Sequence, residues 1–282
     1  MYKVIDGKAH SAAIRGEIRD RAVAYKNSSG TDVGLAVVLV GSDPASQVYV
    51  RNKIKGCEEV GIKSFAYYLP EDASQSQVEE LVAELVENDA IHGILVQLPL
   101  PGHLNAEKIL KIIPERKDVD GFCEQNIGNL CMNRDCLVAC TPNGVMQLLK
   151  REGIELKGKN AVVIGRSNIV GKPMAMLLLN ADATVTVCHS KTVNLKEICK
   201  KADILVAAIG RAKFVTEDMV KDGAVVIDVG MNRDENGKLC GDVDFENVRE
   251  KCSYITPVPG GVGPMTITML LFNTVTAAER SL

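Results

Sequence analysis

At 282 residues and 46% hydrophobic, the chain can bury one large core or two moderate ones. A net charge of −3 argues against a nucleic-acid surface. No apolar run is long enough to span a membrane, and Met1-Tyr-Lys-Val-Ile-Asp6 lacks the hydrophobic region of a signal peptide, so neither a membrane partner nor export is expected.

In chain order, Ala12, Ala13, Ile14, Ile18, Ala22 and Val23 fall on one face and predict a helix from Ala9 to Lys26. Gly34-Leu-Ala-Val-Val-Leu-Val40 is apolar throughout, the pattern of a strand buried on both faces of a parallel sheet. Gly41-Ser-Asp-Pro44 then opens a helix, capped by Ser42 or Asp43, that runs to Val60 and stops at Gly61. Within it Tyr49 and Lys53 stand at i, i+4 and point the same way, and Gly56 and Cys57, one turn on, leave room above the lysine. Taken alone, the pair is a snorkelling lysine beside a half-buried tyrosine.

A strand over Ser64–Leu69, a helix over Val78–Val86 and a strand over Gly93–Leu98 follow. Gln97 interrupts an apolar run at the carboxyl end of that last strand, where open α/β sheets place their ligands. A buried amide needs partners, so Gln97 is either a satisfied core group or part of a site. Pro99-Leu-Pro101 breaks the chain, and a helix is expected over Ala106–Ile113. In the charged loop Arg116-Lys-Asp-Val-Asp-Gly-Phe122, Asp118 and Asp120 alternate and do not face one partner; taken alone they are turn acids. Nine cysteines, an odd number scattered through α/β segments, fit reduced thiols in a cytoplasmic protein. Cys131, Cys136 and Cys140 cluster without a C-x-x-C spacing, so no metal site is expected. Cys140-Thr-Pro-Asn-Gly144 opens a helix to Arg151, the crossing into a second domain.

That domain reads as βα units with strands at Ala161–Ile164, Thr184–Cys188, Ile204–Ala208 and Ala224–Asp228. The first strand stops at Gly165 and a helical pattern starts after Gly171-Lys-Pro173, a strand–turn–helix whose N-terminal N–H groups suit a phosphate. The turn departs from G-x-G-x-x-G, with Ser167 and Val170 at the second and third glycine positions and Gly171 one residue late. The next strand ends in His189-Ser190-Lys191 with no acid at its tip, so a ribose 2′-phosphate meets no repulsion. Arg166, Ser190 and Lys191 can bind it, and at roughly 1.5–3 kcal/mol per charge-assisted bond Arg166 alone favours NADP over NAD by about ten- to a hundredfold. Taken alone, the turn is also an ordinary βα connection with a solvated arginine.

Asp234-Glu-Asn-Gly237 reads as a hairpin turn carrying Val229–Arg233 and Lys238–Gly241 out of the sheet, a surface suited to a dimer contact. After a short strand at Ser253–Thr256 comes Pro257-Val-Pro-Gly-Gly-Val-Gly-Pro-Met-Thr266. So rigid a stretch with so little side chain suits a surface against a flat ligand, or an interdomain linker. The last helix, Met265–Ala278, is apolar on most sides and is expected to return to the first domain.

Five stretches together resemble the methylenetetrahydrofolate dehydrogenase/cyclohydrolase family in content, order and spacing, over essentially the whole chain. They are Tyr49-Val-Arg-Asn-Lys53, Val96-Gln-Leu-Pro-Leu-Pro101, Lys117-Asp-Val-Asp-Gly121, Gly165-Arg-Ser-Asn-Ile-Val-Gly171 and Pro257 to Thr266. The resemblance implies an α/β fold of two parallel-sheet domains. Residues 1–140, completed by helix 265–282, form the folate-binding catalytic domain, and 141–264 a Rossmann-type NADP-binding domain. It implies oxidation of 5,10-methylenetetrahydrofolate to the 5,10-methenyl cation with NADP, then hydrolysis to 10-formyltetrahydrofolate, in a homodimer joined through the Rossmann domains. The chain is too short for the formyltetrahydrofolate synthetase domain that some relatives append.

By the same resemblance Lys53 is the key group of hydrolysis. Its substrate is a cation, which repels an ammonium, so burial, with Gln97 hydrogen-bonded to the amine, is expected to favour a neutral amine that activates water. Tyr49 offers a ring to the folate and a hydroxyl near Lys53, and Asp120 accepts the two adjacent pterin donors while Asp118 is structural. Val96, Gln97, Leu98, Pro259, Gly260, Gly261, Gly263 and Pro264 complete the folate set, the last five walling the folate against the nicotinamide. Gly165, Arg166, Ser167, Ser190, Thr141 and Met231 form the cofactor set, with Met231 where the family commonly has isoleucine. Two other readings remain. A different two-domain NAD(P)-dependent dehydrogenase leaves Tyr49, Lys53 and Pro257–Thr266 without a role. A non-catalytic nucleotide-sensing module binds NADP without turnover.

Overall fold

The computed structural model describes residues 2–282 and divides into two compact units. One, here the amino-terminal unit, comprises Ala13–Cys140 and Ile267–Leu282; the other, the Rossmann unit, comprises Thr141–Thr266 and the residues up to Ala12.

The chain starts with β1 (Lys3–Val4) and α1 (Gly7–Ser29), then β2 (Gly34–Val40), in which every residue is buried. That burial follows from position: β2 is the middle strand of a parallel three-stranded sheet, between β3 (Lys63–Leu69) and β4 (Gly93–Val96). The chain leaves β2 for one edge and returns to the other, so a switch point lies between the carboxyl ends of β2 and β4. Helix α2 (Pro44–Val60) starts there. The Asp43 carboxylate accepts the Ser46 N–H at 2.8 Å, and Gly61 ends the helix in the left-handed conformation, φ +77°. A reciprocal cap between Ser74 and Gln77 starts α3 (Gln75–Glu87). Then come α4 (Ala106–Leu110) and α5 (Glu124–Cys131). The sequence pattern does not announce α5, because its capping acceptor is the Cys123 sulfur, outside the usual Ser, Thr, Asp and Asn set.

In the Rossmann unit α6 (Cys140–Arg151) precedes β5 (Asn160–Ile164), α7 (Gly171–Asn180), β6 (Thr184–Cys188), α8 (Leu195–Cys199), β7 (Ile204–Ala207) and β8 (Ala224–Asp228). Next are β9 (Asn232–Arg233) and β10 (Leu239–Cys240), which pair antiparallel as the expected hairpin, then α9 (Phe245–Val248) and β11 (Cys252–Ile255). The six-stranded sheet runs β1-β11-β8-β7-β5-β6, all parallel, with its switch point between β5 and β7. The first residues belong here, not with an expected 1–140 domain, because Lys3 and Val4 pair with Tyr254 and Ile255.

The final helix, α10 (Gly263–Glu279), carries its later part into the amino-terminal unit and packs on α1, as expected. Arg15 donates to the Thr268 hydroxyl (3.2 Å), and Arg21 pairs with Glu279 while lying over the Phe272 ring. Gly56 serves this packing and not a space above Lys53: a Cβ there would sit 3.2 Å from Leu271 and 3.4 Å from Ile267.

Candidate active site

Helix geometry brings Lys53 of α2 over the end of β4, and its Nζ donates to Gln97 Oε1 at 2.9 Å. The amide's orientation is fixed from its other side, where Nε2 donates to the Leu98 carbonyl at 2.6 Å, leaving Oε1 for the lysine. Gln97 is 8% exposed, so the polar interruption in the strand is both a satisfied buried group and part of a site. Its own N–H donates to Val38 O, which anchors it at the switch point. Tyr49, one turn before Lys53, is 44% exposed.

Asp120 arrives by a different route. The Asp118 segment bridges in parallel to Ile94, beside β4, and Asp118 is buried while accepting hydrogen bonds from Gly121 N, Cys123 N and the Asn126 amide. It is a structural acid, and it sets where Asp120 emerges two residues later. Asp120 is half-buried, and among the described residues none donates a hydrogen bond to its carboxylate. Burial raises it to about 6; the charge of Lys53 works against that shift and that of Asp118 with it.

Asn273 is a residue the sequence reading passed over. It is 2% exposed, and its amide donates to Val119 O and Val138 O, both at 2.8 Å, tying the Asp120 segment to α10. The available signal was an amide directly after the apolar run Met269-Leu-Leu-Phe272. Two expectations need correcting. Lys53 is half-buried, so the chain alone does not bury the amine as supposed. Val96, at 2% exposure, packs its side chain into the core, so only its main chain can face a ligand, whereas Leu98 is 38% exposed.

In the Rossmann unit the turn after β5 is as tight as its glycines suggest. Gly165 has φ +128° and a Cβ on it would lie 2.2 Å from Ala208 O; one on Gly171 would lie 2.3 Å from Gly165 O. The helix N-terminus is not the open cradle of N–H groups expected, because Ser167 Oγ accepts from Val170 N and Gly171 N, each at 3.2 Å. The Ser167 hydroxyl can still donate to a bound acceptor. Register Ile164↔Cys188 puts the ends of β5 and β6 side by side, so Arg166 and Ser190 follow adjacent strand ends, both exposed, with Lys191 next. A guanidinium, an ammonium and two hydroxyls with no carboxylate among them fit a phosphate monoester, so the donor set fits the 2′-phosphate of NADP.

Other residues expected at the cofactor and folate sites gather at one end of this unit. Thr141 Oγ1 lies 2.9 Å from Thr266 Oγ1. Met231 is 55% exposed, and its Cε would be 3.5 Å from a Cβ on Gly263. In the Pro257–Thr266 stretch Pro259 and Gly263 are exposed, Gly260 and Pro264 half-buried. Gly261 is buried, where a Cβ would lie 2.6 Å from Pro257 O, so it serves the loop's own closure.

Two family models match the chain, one after the other along its length. Residues 5–120 match the family described as tetrahydrofolate dehydrogenase/cyclohydrolase, catalytic domain, and residues 139–282 its NAD(P)-binding domain. The chain is 60% identical over 280 residues to the bifunctional protein FolD of Campylobacter concisus, covering 99% of each. A crystal structure of the bifunctional enzyme FolD, methylenetetrahydrofolate dehydrogenase/cyclohydrolase, from Campylobacter jejuni superposes with a TM-score of 0.97 at 53% identity, covering 100% of both chains. The Trypanosoma brucei methylenetetrahydrofolate dehydrogenase-cyclohydrolase, solved with NADP cofactor and an inhibitor, superposes at TM-score 0.93 and 42% identity, covering 99% of this chain and 98% of that one.

Proposed function

The chain belongs to the tetrahydrofolate dehydrogenase/cyclohydrolase family, and we propose that its amino-terminal unit binds the folate for both reactions while its Rossmann unit binds NADP, with the residues described above in the working roles. The protein oxidises 5,10-methylenetetrahydrofolate with NADP and hydrolyses the resulting methenyl cation to 10-formyltetrahydrofolate. The observation that carries the residue assignment is the 2.9 Å Lys53–Gln97 bond at a sheet switch point, with the open Asp120 carboxylate beside it.

Asp120 takes the pterin's ring N–H and exocyclic amine, and Tyr49 lays its exposed ring against the flat rings. Gln97 holds Nζ of Lys53 in place. In hydrolysis the Lys53 amine takes a proton from the attacking water. NADP, when bound, supplies the hydride acceptor; the protein's part in that step is positioning, which needs no acid or base. Arg166, Ser167 and Ser190 hold the 2′-phosphate.

The nine cysteines are free thiols, which supports a reducing, cytoplasmic compartment. The β9–β10 hairpin stands as a separate two-stranded sheet with Leu239 37% exposed, which supports a second copy of this chain as its partner. The negative net charge supports no role for nucleic acid.

The test is Arg166→Ala, assayed with NADP, with NAD, and by hydrolysis of methenyltetrahydrofolate supplied directly. Losing one charge-assisted bond should weaken NADP by about ten- to a hundredfold and leave NAD nearly unchanged. Hydrolysis without nicotinamide should run at the parent rate. Equal losses with NADP and NAD would sink the 2′-phosphate assignment, and a parent no faster than buffer would sink the hydrolase.

A further inference from the structure

Two acids of the Rossmann unit, Asp228 and Asp242, are 3% and 0% exposed, and the mechanism uses neither. They do not face a common ligand; each closes on its own set of amide hydrogens. Asp242 Oδ2 accepts from Ile209 N (2.7 Å) and Gly210 N (3.1 Å), and Oδ1 from Arg211 N (2.7 Å) and Asn232 Nδ2 (2.9 Å). Asp228 in turn holds Asp242 in place, its Oδ1 accepting Asp242 N and Gly230 N, each at 2.9 Å, and its Oδ2 accepting Val243 N at 2.8 Å. The space admits no side chain. A Cβ on Gly230 would lie 2.3 Å from the Asp242 carboxyl, and one on Gly241 1.8 Å from that of Asp228.

What Asp242 grips lies at the carboxyl ends of the strands. Ile209–Arg211 follows β7, the far side of the switch point, and Ala208 just before it abuts Gly165 of the phosphate turn. Asn232 follows Met231 at the end of β8. Three consecutive backbone N–H groups converging on one carboxylate form an anion nest occupied by the protein's own side chain. The loop is thereby fixed from beneath, with no side chain spent on its ligand-facing side.

We propose that Asp242 is a positioning residue for the nicotinamide cofactor, its carboxylate locking Ile209–Arg211 and Asn232 in the arrangement that NADP binds. This rests on NADP lying at the carboxyl edge of the β5–β7 switch point. Asp242→Asn sets an NH₂ group against backbone N–H donors and releases part of the loop.

The experiment measures NADP affinity by calorimetry, dehydrogenase kinetics, and hydrolysis of methenyltetrahydrofolate without nicotinamide. D242N should bind NADP about tenfold more weakly, the scale of one lost charge-assisted bond, and raise the KM for NADP more than it lowers kcat. Hydrolysis, which draws on the amino-terminal unit, should stay within about twofold of the parent. Unchanged NADP affinity in D242N overturns the proposal, as does a fall in hydrolysis equal to the fall in affinity. Should D242N fail to fold, Asn232→Ala decides: it removes one of the four donors, and a rise of a few-fold in the NADP Kd is expected, no rise overturning the proposal. A parent that itself fails to bind NADP overturns instead the cofactor reading beneath it.

Discussion

Replacing Lys53 by methionine lowers hydrolysis of the methenyl cation by about 10²–10⁴-fold, the range for losing a positioned proton-transfer group, while tetrahydrofolate binding stays close to that of the parent. Methionine keeps the length and apolar stem of lysine, so α2 and its packing should be undisturbed. What disappears is the nitrogen, and with it the hydrogen bond to Gln97 Oε1. Gln97 stays fixed by the Leu98 carbonyl, so the site does not collapse around the loss. Because hydride transfer asks only for positioning, dehydrogenase activity should survive better than hydrolysis, and the ratio of the two rates is the informative quantity. Equal falls in both rates would mean that Lys53 shapes the folate site and does not act on water.

The second large effect belongs to Asp120, and it strikes both activities together. Asp120→Ala removes an acceptor of two pterin donors; at roughly 1.5–3 kcal/mol each, the folate KM should rise by about 10²–10⁴-fold in oxidation and hydrolysis alike. The pH dependence has a definite sign. Burial raises the Asp120 carboxyl to about 6, and only its ionised form accepts both donors, so folate binding is complete above that pH and weakens as pH falls through it. An ordinary exposed aspartate would show this loss only near pH 4. Asp120→Asn should bind weakly at every pH and lose the dependence. A parent KM that stays flat down to about pH 5 would remove Asp120 from pterin recognition.

The parts of this site legible in the sequence were those written as local pattern. Tyr49 and Lys53 share a helix face by spacing alone, and Gln97 stands out because a polar residue interrupts an apolar run at a strand's carboxyl end. The apolar strands and the glycines that bound them likewise located most of both sheets. What was not legible depends on long-range pairing or on a choice between equivalent partners. Nothing in Lys3-Val4 announces that it pairs with residues some 250 positions away, so the domain boundary was drawn too simply. Ser167 was assigned to the cofactor without regard to the two N–H groups it caps. Gly56 looked like space above a lysine because the helix that fills that space, α10, comes more than 200 residues later. The roles of Asn273 and Asp242 were not legible for the same reason: each works by reaching backbone groups far away in the chain, and no local periodicity marks such a role.

The most direct test of the whole account gives purified protein 5,10-methylenetetrahydrofolate with NADP or with NAD and follows reduced nicotinamide and methenyl product separately. Reduced nicotinamide should form with NADP and barely with NAD, and methenyl product should lag behind it as hydrolysis consumes the cation. Methenyl product matching reduced nicotinamide mole for mole would contradict the hydrolytic role given to Lys53 and Gln97, and no reduced nicotinamide with either cofactor would contradict the account at its root.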